Sequence, residues 1–301
     1  MNILLSLSFA QTAAPPVPMP VPAPVVPFSA PVLPDVPVPA PVPDPSSNFP
    51  PLPDVAQTKP VAAAPVSADP DTLEDIWTSF TGLLTHVSVS NNLVCGVNIR
   101  TDIYCSPSSS AFSTAVGPGT WTQVAGTLTK ISISGGRACG LDPVGNMYCA
   151  NDVLHPTWLN VPGIYDEVDI DGERICGIKA GALSCGTFTA FKLALIPGVL
   201  TQISISGDSA CGVNSSKNVF CTDNLDAPVW VQVAAEANQI SLSKGLMCVL
   251  STPLSTKIYC SSYKSSNWVS LPGDFKYVSI DNSRLYGLAL DDTVFTGTYF
   301  I

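Results

Sequence analysis

The second part of the chain repeats itself six times, and this periodicity constrains the fold more than any other feature. A short anchor, Cys-Gly-Val in its commonest form, recurs at intervals of 35 to 44 residues. A tryptophan precedes most anchors by 18 residues and a glycine precedes most by 13 residues, with no gap in any repeat. The anchors begin at Cys95, Cys139, Cys176, Cys211, Cys248 and Tyr286; the tryptophan positions are Trp77, Trp121, Trp158, Leu193, Trp230 and Trp268; the glycine positions are Gly82, Gly126, Gly163, Gly198, Ala235 and Gly273. Such a period indicates one supersecondary unit per repeat.

Each repeat reads as a set of short strands. Aliphatic residues alternate with Ser or Asp just before every anchor (VSVS, ISIS, VDID, ISIS, ISLS and VSID), and a period of two is typical of a strand. The Cys-Gly-Val anchor, the Ile-Tyr-Cys segment and the Trp-containing segment are three further short strands of each repeat. Four strands per repeat, without helical periodicity, predict an all-β fold, a six-bladed β-propeller over residues 77–301. The Trp77 strand has no repeat before it, and the last repeat lacks such a strand. We therefore expect the Trp77 strand to close the last blade.

The N-terminal part differs sharply in composition, because 20 of the 29 prolines lie in residues 1–70. Residues 15–76, rich in Pro, Val and Ala, are predicted to form a disordered tail or stalk. Residues 1–14 have a short apolar run followed by small residues, which predicts a secretory signal peptide; a hydrophobic start to the tail is the alternative. No stretch approaches the ~20 apolar residues of a transmembrane segment. The net charge of −10 argues against nucleic acid as a partner.

The ten cysteines fall into pairs, with one pair in each of the first five repeats. Adjacent antiparallel strands would bring each pair within disulfide range, whereas zinc ligands usually come in closer Cys-x(2–4)-Cys pairs. The predicted disulfides are Cys95–Cys105, Cys139–Cys149, Cys176–Cys185, Cys211–Cys221 and Cys248–Cys260. The sixth repeat has Tyr286 and Thr296 at these two positions, so both partners are lost together. Five disulfides predict an oxidising compartment and a secreted or extracellular protein.

The titratable residues form no recognisable catalytic set. The two histidines, His86 and His155, occupy unrelated repeat positions. The carboxylate pairs Asp166/Glu167, Asp169/Asp171 and Asp291/Asp292 are interpreted as solvated side chains on surface strands and turns. We therefore expect neither enzymatic activity nor a metal site nor a cofactor.

The repeats resemble the tectonin family. The segment WTQVAGTLTKISISGGRACGLDPVGNMYC, from Trp121 to Cys149, is similar to the family pattern of Trp-x4-Gly-x4-Val-Ser-Val-Gly followed by Gly-Val-Asn and Ile-Tyr. The resemblance covers about 225 residues and departs from the pattern at Leu193 and Ala235. It implies a six-bladed propeller and a likeness to secreted or surface lectins of the tachylectin, fish-egg and fungal types.

The variable part of each repeat is the polar turn after the alternating strand. Variable loops on a fixed scaffold are frequent recognition sites, although Gly, Asn and Asp are also ordinary turn residues. The candidate carbohydrate contacts are Asn91, Asn92, Arg137, Glu173, Arg174, Asp208, Lys244, Asn282 and Arg284. Asn214-Ser215-Ser216 is a predicted N-glycosylation acceptor.

These features together predict a secreted or cell-surface lectin, free of any cofactor, that binds glycans on cell surfaces. Six similar blades would present up to six weak sites, and repetition would convert weak binding into avidity. The alternative is a structural or adhesive surface protein whose propeller docks onto protein partners.

Overall fold

The computed structural model describes residues 76–107, 121–251, 256–265 and 267–298. These segments contain 24 strands arranged as six four-stranded antiparallel sheets, which are the blades of a β-propeller. The predicted signal peptide and almost all of the predicted Pro-rich tail lie outside the described residues.

Twenty strands form the first five blades, with the strand nearest the propeller axis given first. Blade 1 consists of β2 (His86–Ser90), β3 (Leu93–Val97), β4 (Asp102–Pro107) and β5 (Thr122–Thr127); blade 2 of β6 (Lys130–Ser134), β7 (Arg137–Leu141), β8 (Asn146–Ala150) and β9 (Leu159–Ile164). Blade 3 consists of β10 (Glu167–Asp171), β11 (Arg174–Lys179), β12 (Ala182–Thr187) and β13 (Ala194–Val199); blade 4 of β14 (Gln202–Ser206), β15 (Ser209–Val213), β16 (Val219–Thr222) and β17 (Val231–Ala234). Blade 5 consists of β18 (Ala237–Ser243), β19 (Leu246–Ser251), β20 (Ile258–Ser262) and β21 (Val269–Ser270).

The sixth blade joins the two ends of the array. Its first three strands are β22 (Phe275–Asp281), β23 (Arg284–Ala289) and β24 (Thr293–Thr298), and its outermost strand is β1 (Trp77–Leu83). β1 pairs antiparallel with β24, so that Trp77 lies opposite Gly297 and Leu83 opposite Thr293. The ring is therefore closed by a strand from the start of the array.

The hydrophobic core is divided among the six junctions between blades. Each of the six buried clusters combines residues from two neighbouring blades. In the cluster between blades 6 and 1, for example, Val87 and Val89 of β2 pack with Tyr286 and Leu288 of β23. The aliphatic positions of the alternating strands thus hold the blades to one another, which explains their recurrence in every repeat.

All five predicted disulfides are present, and each lies within one blade. The paired cysteines are opposite one another on the second and third strands, with Cα–Cα distances of 4.0–4.1 Å. Tyr286 and Thr296 occupy the same register in blade 6, directly opposite each other, and both are buried. The joint loss of both cysteines in the sixth repeat follows from this pairing, because either thiol alone would have no partner.

The Trp-x4-Gly pattern links the outer strands of neighbouring blades. The indole N–H of Trp158 donates to the Ala125 carbonyl, at 2.7 Å, and the ring covers Gly126 of the preceding blade. Trp230 donates in the same way to the carbonyl of Pro197, at 2.6 Å, and lies against Gly198. Trp77 donates to the carbonyl of Pro272, at 2.8 Å. At Gly126 and Gly198 a glycine is required because a Cβ would occupy the space of the indole.

Blade 3 carries Leu193 in place of the tryptophan, and a different side chain takes over its contact. The hydroxyl of Tyr165 donates to the carbonyl of Pro162 at 2.9 Å, and its ring covers Gly163. The carbonyl before the glycine is therefore satisfied, as are those that accept from Trp158, Trp230 and Trp77. At Ala235, where alanine replaces the glycine, the described residues show no hydrogen bond from the indole of Trp268.

The glycine of the Cys-Gly anchor has a separate steric role. A Cβ at Gly96 would lie 2.4 Å from the side chain of Leu84, and one at Gly140 would lie 2.4 Å from Leu128. Blade 5 reverses the sizes at these two positions. There, Val249 replaces the glycine and Ala237 replaces the leucine. The larger side chain of Val249 thus compensates for the smaller side chain of Ala237, and the buried space stays filled.

We predict that Gly126→Ala lowers the free energy of unfolding by about 2 kcal/mol or more. Gly126 has φ 120°, which alanine rarely adopts, and the added Cβ would lie 2.6 Å from Nε1 of Trp158. The measurement is equilibrium denaturation of the oxidised protein.

Gly135→Asn is the matched control for this substitution. Gly135 has φ 58° with open space around it, and Asn91 and Asn282 adopt φ 54° and 55° at the equivalent positions of their repeats. The control should change stability by less than about 1 kcal/mol. Equal destabilisation by the two substitutions would contradict the proposed role of the Trp–Gly contact.

Candidate functional site

The innermost strands surround a central channel lined by three layers of polar side chains, with one residue from each blade in each layer. The first layer contains His86, Lys130, Glu167, Gln202, Gln239 and Tyr277; the second contains Ser88, Ser132, Asp169, Ser204, Ser241 and Ser279; the third contains Ser90, Ser134, Asp171, Ser206, Ser243 and Asp281. These are the polar positions of the alternating strands. The third layer is next to the turns that join the first and second strands of each blade, so we call this end of the propeller the turn face.

The second and third layers form two complete rings of hydrogen bonds between blades. Every Ser hydroxyl or Asp carboxylate in these layers accepts a backbone N–H of the next blade, at 2.5–3.2 Å. The donors to the second layer belong to the innermost strand, and the donors to the third layer are the first residues of the turn that follows it. Ser88 accepts from Ile133, for example, and Asp169 accepts from Ile205. The ring closes where Ser279 of blade 6 accepts the N–H of Val89 in blade 1. These bonds satisfy amides that have no strand partner on that side.

The first layer is made of larger side chains that contact one another. Nζ of Lys130 forms an ion pair with Glu167 at 2.7 Å, and the ring of His86 lies 4.3 Å from that of Tyr277, centroid to centroid. Gln239 accepts the N–H of Val278 at 2.8 Å. The sequence interpretation of Glu167 as a solvated surface carboxylate is wrong, because only 9% of the residue is exposed.

Above this layer, the channel widens into a cavity of about 160 Å³ that opens toward the turn face. All twelve residues of the second and third layers line it, and Asn91, Gly135 and Lys244 lie at its edge. We call this cavity the central cup. Serines make most of its wall, and their small side chains leave the axis open. The larger side chains of the first layer fill the axis instead.

The wall of the central cup carries three carboxylates, those of Asp169, Asp171 and Asp281. None of them forms an ion pair with a described cationic side chain. Burial raises the pKa of Asp169 to about 7, although hydrogen bonds from Ser132 and the Ile205 N–H oppose this shift. The interpretation of the Asp169/Asp171 pair as residues of surface strands is wrong, because both lie on the innermost strand of blade 3. The two side chains line the cavity and join neighbouring blades.

The nine candidate carbohydrate contacts all lie at the turn face, but their surroundings differ. Arg137 of blade 2 forms an ion pair with Glu173 of blade 3. Arg174 of blade 3 forms ion pairs with Asp208 and Asp226 of blade 4. Lys244 lies at the edge of the central cup, where its N–H donates to Ser206. Four of the nine candidates are thus occupied in ion pairs between blades 2, 3 and 4. The six turns are not equivalent.

The other four candidates lie together at the junction of blades 6 and 1. Asn91, Asn92, Asn282 and Arg284 line a surface groove together with Asp281 and Ser283. The guanidinium of Arg284 donates to Oδ1 of Asn92 at 3.1 Å, and Nδ2 of Asn282 donates to Asp281 at 3.2 Å. These contacts orient amide, hydroxyl, guanidinium and carboxylate groups within one exposed groove, which we call the 6/1 groove.

The predicted glycosylation acceptor lies on the other end of the propeller. Asn214 starts the turn between β15 and β16, its Oδ1 accepts the N–H of Asn218 at 2.9 Å, and Ser215 and Ser216 are exposed. Within the described segments, no cluster of three or more His, Cys, Asp or Glu side chains has a geometry that would hold a metal ion. The same segments contain no helix long and apolar enough to cross a membrane.

We predict that His86 makes stability depend on pH. Burial, assisted by the charge of Lys130, lowers the pKa of His86 to about 3, so the folded protein holds this ring neutral. In the unfolded chain its pKa is about 6.5, and protonation of that state destabilises the fold. The contribution of His86 to the free energy of unfolding is therefore fully present above pH 6.5. It is lost progressively as the pH falls from 6.5 toward 3.

His86→Gln should remove that part of the pH dependence. Gln202 and Gln239 occupy the equivalent positions and accept the same backbone N–H of the next blade, so the substitution keeps the hydrogen bond that Ile131 donates to His86. The measurement is the unfolding midpoint from pH 4 to pH 8. His155→Gln, at an exposed histidine, is the control and should behave as the unaltered protein. Parallel pH profiles for His86→Gln and the unaltered protein would contradict the prediction.

Comparisons with known proteins agree with this architecture. Among solved structures, the chain is similar to Prp20p from Saccharomyces cerevisiae, with 10% identity over 70% of each chain and a TM-score of 0.50. Human WBSCR16 shares 8% identity over 71% of this chain and 75% of its own, with a TM-score of 0.50. The WD40 ectodomain of the Arabidopsis thaliana receptor kinase ACR4 shares 15% identity over 72% of this chain and 96% of its own, with a TM-score of 0.47. At these identities the likeness to Prp20p and WBSCR16 concerns the fold alone, and no conclusion is drawn from the third structure.

A comparison with curated protein sequences gives no match. A family model described as the Tectonin domain, however, matches residues 66–185 and 187–301. The two segments cover more than half of the chain and include all six repeats, so the protein belongs to the tectonin family.

Proposed function

We propose that this protein is a carbohydrate-binding protein that acts outside the cell and binds glycans through its turn face. The five disulfides indicate an oxidising environment, and the tectonin propeller is a scaffold suited to binding. The observation that carries the proposal is the 6/1 groove. It combines side-chain amides, a hydroxyl, a guanidinium and a carboxylate on an exposed surface.

This set of groups is complementary to sugar hydroxyls, which both donate and accept hydrogen bonds. Oδ1 of Asn92 is held by Arg284, whereas its Nδ2 has no acceptor among the described residues and remains a donor for a ligand. Asn282 is exposed beside it. At the junctions between blades 2 and 3 and between blades 3 and 4, the turn residues Arg137 and Arg174 form ion pairs with carboxylates of the next blade. We therefore propose one principal groove in each molecule. Avidity would then require several copies of the protein on one surface.

The alternative function is docking onto protein partners. It is favoured by exposed aliphatic side chains in three turns at the end opposite the turn face. Ile99, Val144 and Leu290 lie in blades 1, 2 and 6 and are 82%, 69% and 62% exposed. Exposed apolar residues on neighbouring blades are a feature of interaction surfaces.

A glycan array probed with the oxidised protein tests the proposal. We expect binding to a defined group of glycans, and we expect Asn92→Ala to weaken it by about tenfold, because the change removes both an amide donor and the group that orients Arg284. Asn160→Ala, at an exposed asparagine on β9, is the matched control and should bind as the unaltered protein does.

The array also separates the two functions. If the correctly oxidised protein binds no glycan, the carbohydrate proposal is wrong and the docking alternative gains support. If glycans bind equally well to the Asn92→Ala variant, the protein binds carbohydrate but the 6/1 groove is not the site.

A further inference from the structure

The central cup has hydrogen-bonding capacity that the protein itself does not use. Each of its nine serine hydroxyls accepts a backbone N–H, which leaves the hydroxyl hydrogen available as a donor. Three of these hydrogens are used within the wall: Ser132 donates to Asp169 at 2.6 Å, Ser134 to Asp171 at 2.9 Å and Ser243 to Asp281 at 3.4 Å. The other six have no acceptor among the described residues, and they belong to Ser88, Ser90, Ser204, Ser206, Ser241 and Ser279.

Several of these free donors are buried, so solvent reaches them only through the cup. Ser88, Ser204 and Ser241 are 9%, 8% and 8% exposed and come from blades 1, 4 and 5. All three lie in the second layer, near the bottom of the cavity. Hydroxyl donors therefore converge on one enclosed space from different sides of the ring, which is an arrangement suited to a ligand with several acceptor oxygens.

The charges of the wall narrow the class of ligand further. Asp171 and Asp281 belong to blades 3 and 6, which face each other across a ring of six, and Asp169 lies one layer below Asp171. Each carboxylate accepts two or three hydrogen bonds from the protein, which leaves acceptor capacity toward the cavity. Lys244 at the edge is the cationic residue that lines the cup in the described part of the chain. An anionic ligand is therefore disfavoured and a cationic one is favoured.

The size of the cup agrees with a six-membered ring. Its volume of about 160 Å³ is close to that of an engineered cavity of about 150 Å³ that holds a benzene molecule. Because the cup is open at the turn face, the remaining substituents of a larger ring, or the rest of a chain of sugars, can extend into solvent. A terminal residue of a glycan can enter in this way, whereas an internal residue cannot.

We propose that the central cup binds a terminal sugar residue that carries a free primary amine. The ammonium pairs with a carboxylate of the wall, and the ring hydroxyls accept hydrogen bonds from the serines of the second and third layers. Hydrogen bonds between charged partners are the stronger ones, so the amine supplies selectivity and the hydroxyls supply the fit. The cup adjoins the 6/1 groove and shares Asn91 and Asp281 with it, whereas Asn92, Asn282, Ser283 and Arg284 line the groove alone. The inference rests on the proposed function only in that both ligands are carbohydrates.

Titration calorimetry of the intact protein with three probes tests the proposal. The probes are D-glucosamine, D-glucose and N-acetyl-D-glucosamine, of which only the first is charged. We expect D-glucosamine to bind at least tenfold more tightly than the other two, and its binding to weaken as salt is added. Equal binding of the three sugars, or no binding of D-glucosamine, would overturn the proposal.

Substitutions then place the ligand in the cup. Asp171→Asn keeps an oxygen that can accept the N–H of Gly207 and removes the charge, so D-glucosamine binding should fall by about tenfold. Asp152→Asn, at an exposed carboxylate outside the cup, is the matched control and should leave binding unchanged. Asp169→Asn is the second test variant if Asp171→Asn does not fold. Unchanged binding by a folded variant of either cup residue would overturn the placement.

The groove variant distinguishes this inference from the proposed function. Asn92→Ala should bind glycans on the array about tenfold more weakly and keep its affinity for D-glucosamine. If the array shows no binding while D-glucosamine binds and responds to Asp171→Asn, the groove proposal is wrong and the cup proposal is supported. If glycans bind on the array and D-glucosamine does not bind in solution, the cup proposal is overturned.

Discussion

The structure depends on the hydrogen bonds between each innermost strand and the side chains of the preceding blade. An innermost strand has a partner strand on one side only, so the N–H groups of its other edge would be unpaired in the middle of the molecule. Unpaired buried amides cost free energy, and exposed strand edges invite pairing with other chains. The two rings of Ser and Asp side chains satisfy these amides in all six blades and fix the height of each blade relative to the next.

The same side chains both hold the ring together and create the central cup. A backbone amide uses one lone pair of a serine hydroxyl, and the hydroxyl hydrogen remains available. An aliphatic side chain at these positions would leave the amide unpaired, and a longer polar side chain would fill the axis, as the first layer shows with Glu167 and Tyr277. Small hydroxyl residues meet both requirements. The ligand proposed for the cup is therefore bound by groups whose first role is architectural.

Much of the fold could be predicted from the sequence, because three of its features describe local pairing. These features are the repeat spacing, the alternating strands, and the joint replacement of both cysteines by Tyr286 and Thr296 in the sixth repeat. The central cup could not be predicted in this way. Alternation shows that Asp169 and Ser132 lie on one face of their strands, but not that this face meets the same face of five other strands. The sequence interpretation therefore places Asp169 on a surface strand, whereas the structure places it in the wall of the cup. The available signal for the cup was the alternation of aliphatic and Ser or Asp residues at the same position of all six repeats.

The candidate site was predicted only in part, for a similar reason. The turns could be located from the sequence, and Asn91, Asn92, Asn282 and Arg284 do lie in one groove. Whether a charged turn residue is free or paired depends on the next blade, however. The pairing of Arg174 with Asp226 joins residues that are far apart in the chain. Compensation by Tyr165 for the missing tryptophan was equally hidden, because the replacing side chain comes from a different position of the repeat.

The antiparallel pairing of β1 with β24 has a mechanical consequence. Trp77 lies opposite Gly297, so the chain enters β1 and leaves β24 at the same end of this strand pair. A force that separates the chain on either side of the propeller would load the hydrogen bonds of the pair one after another, as in unzipping. Strand pairs loaded in this geometry yield at lower force than pairs loaded in shear. The disulfides offer no protection here, because none of them joins two blades. Under tension, the propeller would open first at the seam that closes it, while the five cross-linked blades keep their internal pairing.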